Sequence, residues 1–340
     1  MSYQESIKSI LKYPGLPTEE LSGCNILVTG ATGLIGSALV EALMNNDKID
    51  YRVFALGRNA ARAGRLFSKY TESSFFHFLE HDIIKPLETS VDFQYIIHAA
   101  SNASPNFFVS NPVEIVQSNV IGLCNLLEYG RSHNLRRLLY ISSGEVYGEC
   151  ESQIIDESYY GYIDILKARS CYPMSKRVSE TLCVSYATEF GLDIVIARPS
   201  HVYGPRFTES DNRVFAQFLR NVINDEDIVM KSSGRQYRSW CYVVDCISAL
   251  FFILLKGESC EAYNIASKDS ILSIKSFAKI IAEIWGKRLL LTTPSDAESK
   301  GYNPVSRSVL STEKLQSLGW RSSFDIRQGL KETYEFIQCI

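Results

Sequence analysis

The chain has 340 residues, 46% of them hydrophobic and 21% charged, with a formal net charge of −3. That composition buries a large core in one big domain or two fused ones, and it excludes fibrous and disordered classes. No run of Lys/Arg is long enough to serve a polyanion, so nucleic acid is not an expected partner and any bound phosphate should belong to a small molecule.

Residues 1–22 read as an amphipathic N-terminal extension broken at Pro14 and Pro17, with no signal-peptide core. Asn25-Ile26-Leu27-Val28 is a short apolar run that feeds into Thr29-Gly30-Ala31-Thr32-Gly33-Leu34-Ile35-Gly36, the pattern of a buried strand entering a glycine turn. Leu34, Ile35, Ala38, Leu39, Ala42 and Leu43 then recur at helical spacing, and Tyr51–Leu56 restarts a strand. Strand, helix, strand implies a right-handed parallel crossover.

The alternation continues with strands expected at Phe75–Leu79, Tyr95–His98, Leu138–Ser142 and Asp193–Ala197, and helices near Pro112–Tyr129 and Tyr172–Phe190. Repetition of this length predicts an α/β fold, a doubly wound parallel Rossmann sheet spanning 23–198. Beyond Arg198-Pro199 the regularity weakens, with helices expected near Val214–Asn224, Val244–Leu255 and Ile274–Trp285 and a short one after Asp325. Residues 199–340 are therefore expected to form a smaller mixed α/β substrate-binding region, with the part around 236–264 returning to the Rossmann domain. The longest apolar stretch, Ala249 to Leu255, is far too short to span a bilayer, so no membrane association is expected. Nine cysteines lie scattered, many in apolar runs and without paired metal-ligand spacing, which reads as buried reduced thiols, no metal site and a cytoplasmic protein.

The glycine turn carries the first functional signal. After a first strand the backbone must turn tightly and let a pyrophosphate approach a helix N-terminus, where unpaired N–H groups favour anions. Gly30, Gly33 and Gly36 supply that turn in the strand-to-helix context that supports dinucleotide binding. Where an acidic residue would accept the ribose hydroxyls of NAD, this chain has Gly57 followed by Arg58. An arginine suits a 2′-phosphate, which tilts the expectation from NAD towards NADP, although Arg58 could also cover the adenine or be a solvated turn residue. Asp82, in His81-Asp82-Ile83, could accept a bond from the adenine amino group or cap its own turn.

The second signal is the pair Tyr172 and Lys176, four residues apart and so on one helical face, downstream of Ser142-Ser143-Gly144-Glu145. A phenol whose pKa is lowered by a neighbouring ammonium is acid/base machinery for hydride transfer between an alcohol and a ketone. Ser143 would donate to the developing ketone oxygen. The small residues Ala99, Ala100 and Ser101 would let the backbone lie close to a cofactor.

Gly30-Ala31-Thr32-Gly33-Leu34-Ile35-Gly36, His98-Ala99-Ala100-Ser101, Ser142-Ser143-Gly144-Glu145-Val146-Tyr147-Gly148 and the Tyr172/Lys176 pair together resemble the extended short-chain dehydrogenase/reductase superfamily, in its NAD(P)-dependent nucleotide-sugar epimerase/dehydratase branch. The resemblance runs over nearly the whole chain. It implies an enzyme in which Tyr172 takes the sugar 4-hydroxyl proton, Lys176 holds the nicotinamide ribose and tunes the phenol, and Ser143 hydrogen-bonds the same oxygen. It extends the cofactor set to Thr32, Leu34, Ile35, Ile83, Asn119, Ser142 and Pro199; Asn119 and Pro199 could equally be ordinary helix and turn residues. It further implies a homodimer paired through the helices near Pro112–Tyr129 and Tyr172–Phe190.

Once C4 is a ketone, the auxiliary residues decide the reaction. Glu145 is informative because simple C4 epimerisation needs no carboxylate, although a glutamate in this loop could also just face solvent. Arg169-Ser170-Cys171-Tyr172 and Lys176-Arg177-Val178-Ser179-Glu180-Thr181 look most like UDP-glucuronate decarboxylases. A 4,6-dehydratase-like lyase is close behind, a C4 epimerase or 4-keto reductase is the alternative, and a non-catalytic dinucleotide-binding protein is remote. The same resemblance makes His201, Arg206, Arg213, Arg238 and Arg307 substrate contacts, with Arg238 and Arg307 clamping a nucleotide diphosphate. His201 stands where the family usually has asparagine, so a substrate contact has changed.

Overall fold

A computed structural model describes residues 2–339 apart from 48, 268, 294–301 and 304. Its centre is a seven-stranded sheet built from Asn25–Thr29 (β1), Arg52–Gly57 (β2), Phe76–Glu80 (β3), Tyr95–His98 (β4), Arg137–Ile141 (β5), Ile194–Pro199 (β6) and Ala262–Ile265 (the edge strand). These strands are near-continuous apolar runs because helices cover both faces. In order across the sheet, the edge strand is followed by β6, β5, β4, β1, β2 and β3, all parallel. The order reverses between β1 and β4, where Thr29 pairs with His98 in register. In doubly wound sheets the crevice at that reversal, beyond the carboxyl ends of the strands, is where ligands bind.

One face is covered by Pro112–Ser132 and Cys171–Phe190, which pack on each other and on Leu27, Ile96, Leu138 and Ile196. Leu34–Met44 and Val243–Lys256 cover the other. The helix 243–256 is buried along almost its whole length, and the edge strand comes after it, so this late segment packs against β5 and β6. Tyr3–Ser9 is a short helix with a Ser2/Glu5 capping box. It docks by burying Tyr3 and Ile7, with the Tyr3 hydroxyl donating to Glu41 at 2.8 Å. Burial of such side chains contributes about 1.5–3 kcal/mol each, which ties residues 1–22 to the body of the fold.

The remainder is a smaller layer in which Tyr237–Tyr242 is flanked by His201–Tyr203, Ile271–Ser273 and Arg307–Ser308, beside the helices Val214–Ile223 and Ile274–Trp285. Its aromatic heart is Trp240 stacked on Phe277 at 3.9 Å.

Element ends depart from the sequence expectations by a few residues. β6 runs through Pro199 rather than stopping at Ala197; a proline is tolerated at a strand end, and the N–H of Ser200 takes up the Ile265 carbonyl. The cysteines are all free, but only Cys24, Cys183, Cys241 and Cys246 are buried, while Cys260 and Cys339 are exposed. An apolar neighbourhood in sequence did not guarantee an inward-facing side chain.

Candidate active site

The turn after β1 is forced to be glycine. Gly30 has φ +63°, and a Cβ there would lie 2.7 Å from the Ala100 backbone; one on Gly36 would lie 2.2 Å from the Gly30 carbonyl. Gly33 caps the helix 34–44 without any side-chain hydrogen bond, so the first-turn N–H groups keep no competing acceptor from the cap. Thr29 holds the facing loop, accepting from the N–H of Ala100 at 3.3 Å and bonding His98 Nδ1 at 2.7 Å. This cradle, which any β-carbon would fill, fits a dinucleotide pyrophosphate.

Beside it opens a cavity of about 590 Å³. Ile35, Ala99, Ser101, Ser142, Ser143, Glu145, Tyr172, Lys176, Pro199, His201, Arg213 and Arg238 line it. Among the described lining residues, seven are basic (Lys167, Arg169, Lys176, Arg213, Arg220, Lys231, Arg238) and three acidic (Glu145, Glu149, Asp164). Buried polar atoms of the lining, including Ser101 Oγ, Ser200 Oγ, Gln236 Oε1, Arg169 Nε and Arg238 Nε, have no hydrogen-bond partner among the described residues. A buried unpartnered polar group costs about 1–3 kcal/mol, so such a set is built for a hydrogen-bonding ligand, and the excess of basic side chains suits an anionic one.

Tyr172 and Lys176 enter from the first turns of the helix 171–190 and are both buried. Lys176 Nζ donates to the Ile141 carbonyl at 2.8 Å and lies 5.9 Å from the Tyr172 ring. Burial holds Lys176 down at about 7. It pushes the Tyr172 phenol up to about 12, as does the charge of Glu145, while the Ser143 hydroxyl, Arg213 and Arg169 pull the other way. The expected lowering of the phenol is thus reversed in the protein alone, because desolvation outweighs the neighbouring cations.

Glu145 is neither free nor simply solvated. It sits in a bidentate ion pair with Arg169, both bonds 2.8 Å. Arg169 was not among the site residues expected from sequence. It entered the sequence reading only as part of the Arg169-Ser170-Cys171-Tyr172 stretch, without a role of its own.

Ser142 lines the cavity, but its hydroxyl donates to Glu180 at 2.5 Å, within a buried network in which Arg198 also grips Glu180 at 2.6 Å. Arg238 is buried, donates to the Tyr237 and Val305 carbonyls, and is held down at about 10 chiefly by burial. His201 packs beside Trp240 and is held near 3 by burial and by Arg238 and Arg213, so the imidazole is neutral. Arg213 is paired with Asp211.

Other residues singled out from sequence lie elsewhere. Arg206 is ion-paired with Glu41, and Arg307 donates to the Gln153 carbonyl; neither lines the cavity. Arg58 is exposed and paired with Glu114 at 3.0 Å, whereas the unexpected Arg62 reaches the Thr32 carbonyl of the glycine turn at 2.9 Å. Asp82 accepts from the N–H of Ile84 in its own turn. Ile83 and Leu34 are core residues, Gly57 rather than a polar group faces Thr32, and Asn119 is buried with its Nδ2 donating to Ser175 at 2.8 Å.

Comparison with known proteins agrees with this geometry. The family model described as "NAD dependent epimerase/dehydratase family" matches residues 26–266. UDP-glucuronic acid decarboxylase 6 of Arabidopsis thaliana is 34% identical over 315 residues, 91% of this chain and 87% of that protein. Among solved structures, UDP-glucose 4-epimerase of Thermotoga maritima with UDP-glucose superposes with a TM-score of 0.79 at 25% identity, covering 93% of this chain and 99% of that one. UDP-glucuronic acid 4-epimerase of Bacillus cereus in complex with NAD gives 0.77 at 26% identity, again covering 93% and 99%. The glycine cradle, the buried Tyr172/Lys176 pair and these likenesses establish that the chain belongs to the NAD dependent epimerase/dehydratase family and is an NAD(P)-dependent enzyme.

Proposed function

We propose that this enzyme binds a nucleoside-diphosphate sugar carrying a C5 carboxylate, oxidises C4 transiently and releases the carboxylate as carbon dioxide, as a UDP-glucuronate decarboxylase-like lyase. The observation that carries this reading is the paired carboxylate of Glu145 beside Tyr172 in a cavity rich in basic side chains. The decarboxylase relatives support it, since they match over 91% of the chain.

The Gly30–Gly36 cradle would hold NAD(P)⁺, which would supply the hydride acceptor and a positive nicotinamide ring. Tyr172 takes the proton of the C4 hydroxyl as the hydride leaves C4, and Ser143 donates to the oxygen that becomes the ketone. A ketone at C4 makes the carboxylate a β-keto acid. The C5–carboxylate bond then breaks, its electrons pass to the C4 oxygen held by Tyr172 and Ser143, and carbon dioxide departs. C5 next takes a proton from a solvent water held by the Glu145 carboxylate, the group whose charge acts on the phenol, and the hydroxide left behind is neutralised from solvent. Tyr172 gives its proton back to the C4 oxygen as C4 is reduced again, so the overall reaction would consume no cofactor.

Gly57 in place of an acidic residue, together with Arg58 and Arg62, supports NADP over NAD. Exposed Val113, Val116, Ile121, Val178, Val184 and Phe190 on the helices 112–132 and 171–190 support a homodimer paired through them. Nine free cysteines suit a reducing, cytoplasmic compartment. Incubation with UDP-glucuronate labelled in its carboxyl carbon tests the reading: label recovered as carbon dioxide supports it, and label retained in a C4 epimer overturns it.

A further inference from the structure

Glu145 and Arg169 lie on two short turns that converge over the cavity, Gly144–Tyr147 and Ala168–Ser170. Their side chains are only 21% and 14% exposed, and the pair is bidentate, the geometry in which a guanidinium–carboxylate bond is strongest. Arg169 does more than neutralise. Its guanidinium lies 4.8 Å from the centroid of the Phe108 ring, and Phe108 in turn stacks on Tyr172 at 4.6 Å with the planes 20° apart. One cation therefore touches the carboxylate on one side and, through a single buried ring, the phenol on the other.

The turn that carries Arg169 is itself fixed. Ser170 Oγ donates to the Asp164 carbonyl at 2.6 Å, and the N–H of Gly161 donates to the Tyr147 carbonyl at 2.9 Å. A Cβ on Gly161 would fall 1.9 Å from the Glu149 carbonyl.

We propose that Arg169 is a positioning residue of the reaction: it holds Glu145 as an oriented carboxylate and shields the Tyr172 phenol from that carboxylate's charge. The inference rests on the reaction proposed above. Charged and titratable groups acting on the phenol are Glu145 and Arg169 from the two turns, Arg213 ahead of the helix 214–223, Lys176 one turn along its own helix and Tyr140 from β5. Arg238 and Cys171 also face Glu145. Of these, Arg169 alone bonds the carboxylate directly.

Without Arg169 the phenolate loses a nearby cation and meets an uncompensated Glu145, so deprotonation of Tyr172 moves to higher pH. In Arg169→Ala the rising limb of the kcat/KM profile should shift upward by about one pH unit, equivalent to roughly tenfold slower turnover below the limb. Arg169→Lys, which keeps charge but not the fork, should shift it less. Adding Glu145→Gln to Arg169→Ala should return the limb to its wild-type position, although the rate stays low. A purely structural arginine would lower the amplitude and leave the limb in place, and that result overturns the proposal.

A second readout does not depend on turnover. In protein labelled at the tyrosine ζ-carbon, the Tyr172 signal, identified by its loss in Tyr172→Phe, is titrated with and without NAD(P)⁺. Its midpoint should rise in Arg169→Ala and fall back in the double variant, and an unmoved midpoint overturns the proposal. If no nucleotide sugar turns over while the midpoint moves as described, the proposed reaction fails and the electrostatic role of Arg169 stands.

Discussion

Lys176 lies one helical turn from Tyr172 with its Nζ 5.9 Å from the phenol ring and bonded to the Ile141 carbonyl at the end of β5. Both side chains are buried, and desolvation sets their behaviour, with the ammonium held at about 7 and the phenol raised to about 12 in the protein alone. A phenol held that high is a weak acid, and the positive charge that an oxidised nicotinamide would bring beside it would favour the phenolate and couple acid/base function to cofactor occupancy.

Tyr172→Phe removes the hydroxyl while keeping the ring that stacks on Phe108. Turnover is expected to fall by about 10³-fold, within the range for loss of a positioned acid/base group, with dinucleotide affinity retained. Steady-state kinetics alongside calorimetric titration of NAD(P)⁺ checks both parts.

Glu145→Gln separates loss of the carboxylate from the later protonation of C5. The variant should still reduce the cofactor and release carbon dioxide in a single turnover, while formation of the pentose product slows by about 10²-fold or more. Undiminished pentose formation would make Glu145 a bystander.

Gly36→Ala places a Cβ 2.2 Å from the Gly30 carbonyl, with nothing but backbone to give way. The cradle must open to accept it. Loss of dinucleotide binding by at least about tenfold is expected, equivalent to about 1.4 kcal/mol, with circular dichroism confirming that the fold persists.

The recurring strand and helix signals made the parallel sheet legible, because buried strands and amphipathic helices leave their period in the sequence. The glycine cradle and the Tyr172/Lys176 pair were legible too, since both are local spacings. Arg169 was not, because its partner Glu145 is 24 residues away and no periodicity links two turns. Arg206 misled for a similar reason: Glu41, on a distant helix, captures it. The direction of the Tyr172 shift was hidden because spacing reveals a neighbouring charge but not the depth of burial.

Two histidines are neutral, His98 buried beside Thr29 and His201 partly exposed on the cavity wall. His98 and His201 are each held near 3, mainly by burial. Their folded values lie below the unfolded value near 6.5, so the unfolded chain binds more protons, and stability falls as pH drops below about 6.5 towards 3. At pH 5 each histidine should cost about 2 kcal/mol relative to pH 7. Denaturant unfolding at several pH values should show a shallower acid loss in His201→Asn than in the wild type, and an unchanged slope would refute the neutral imidazole at His201.

Mass spectrometry of the purified enzyme incubated with UDP-, dTDP-, GDP- and CDP-sugars, UDP-glucuronate among them, with NAD⁺ and NADP⁺ each supplied, decides between decarboxylation and its alternatives. A decarboxylase should yield a nucleotide pentose lighter by carbon dioxide from UDP-glucuronate, without net consumption of cofactor. An isomer of unchanged mass, or a product reduced at the expense of NADPH, would overturn the decarboxylase reading.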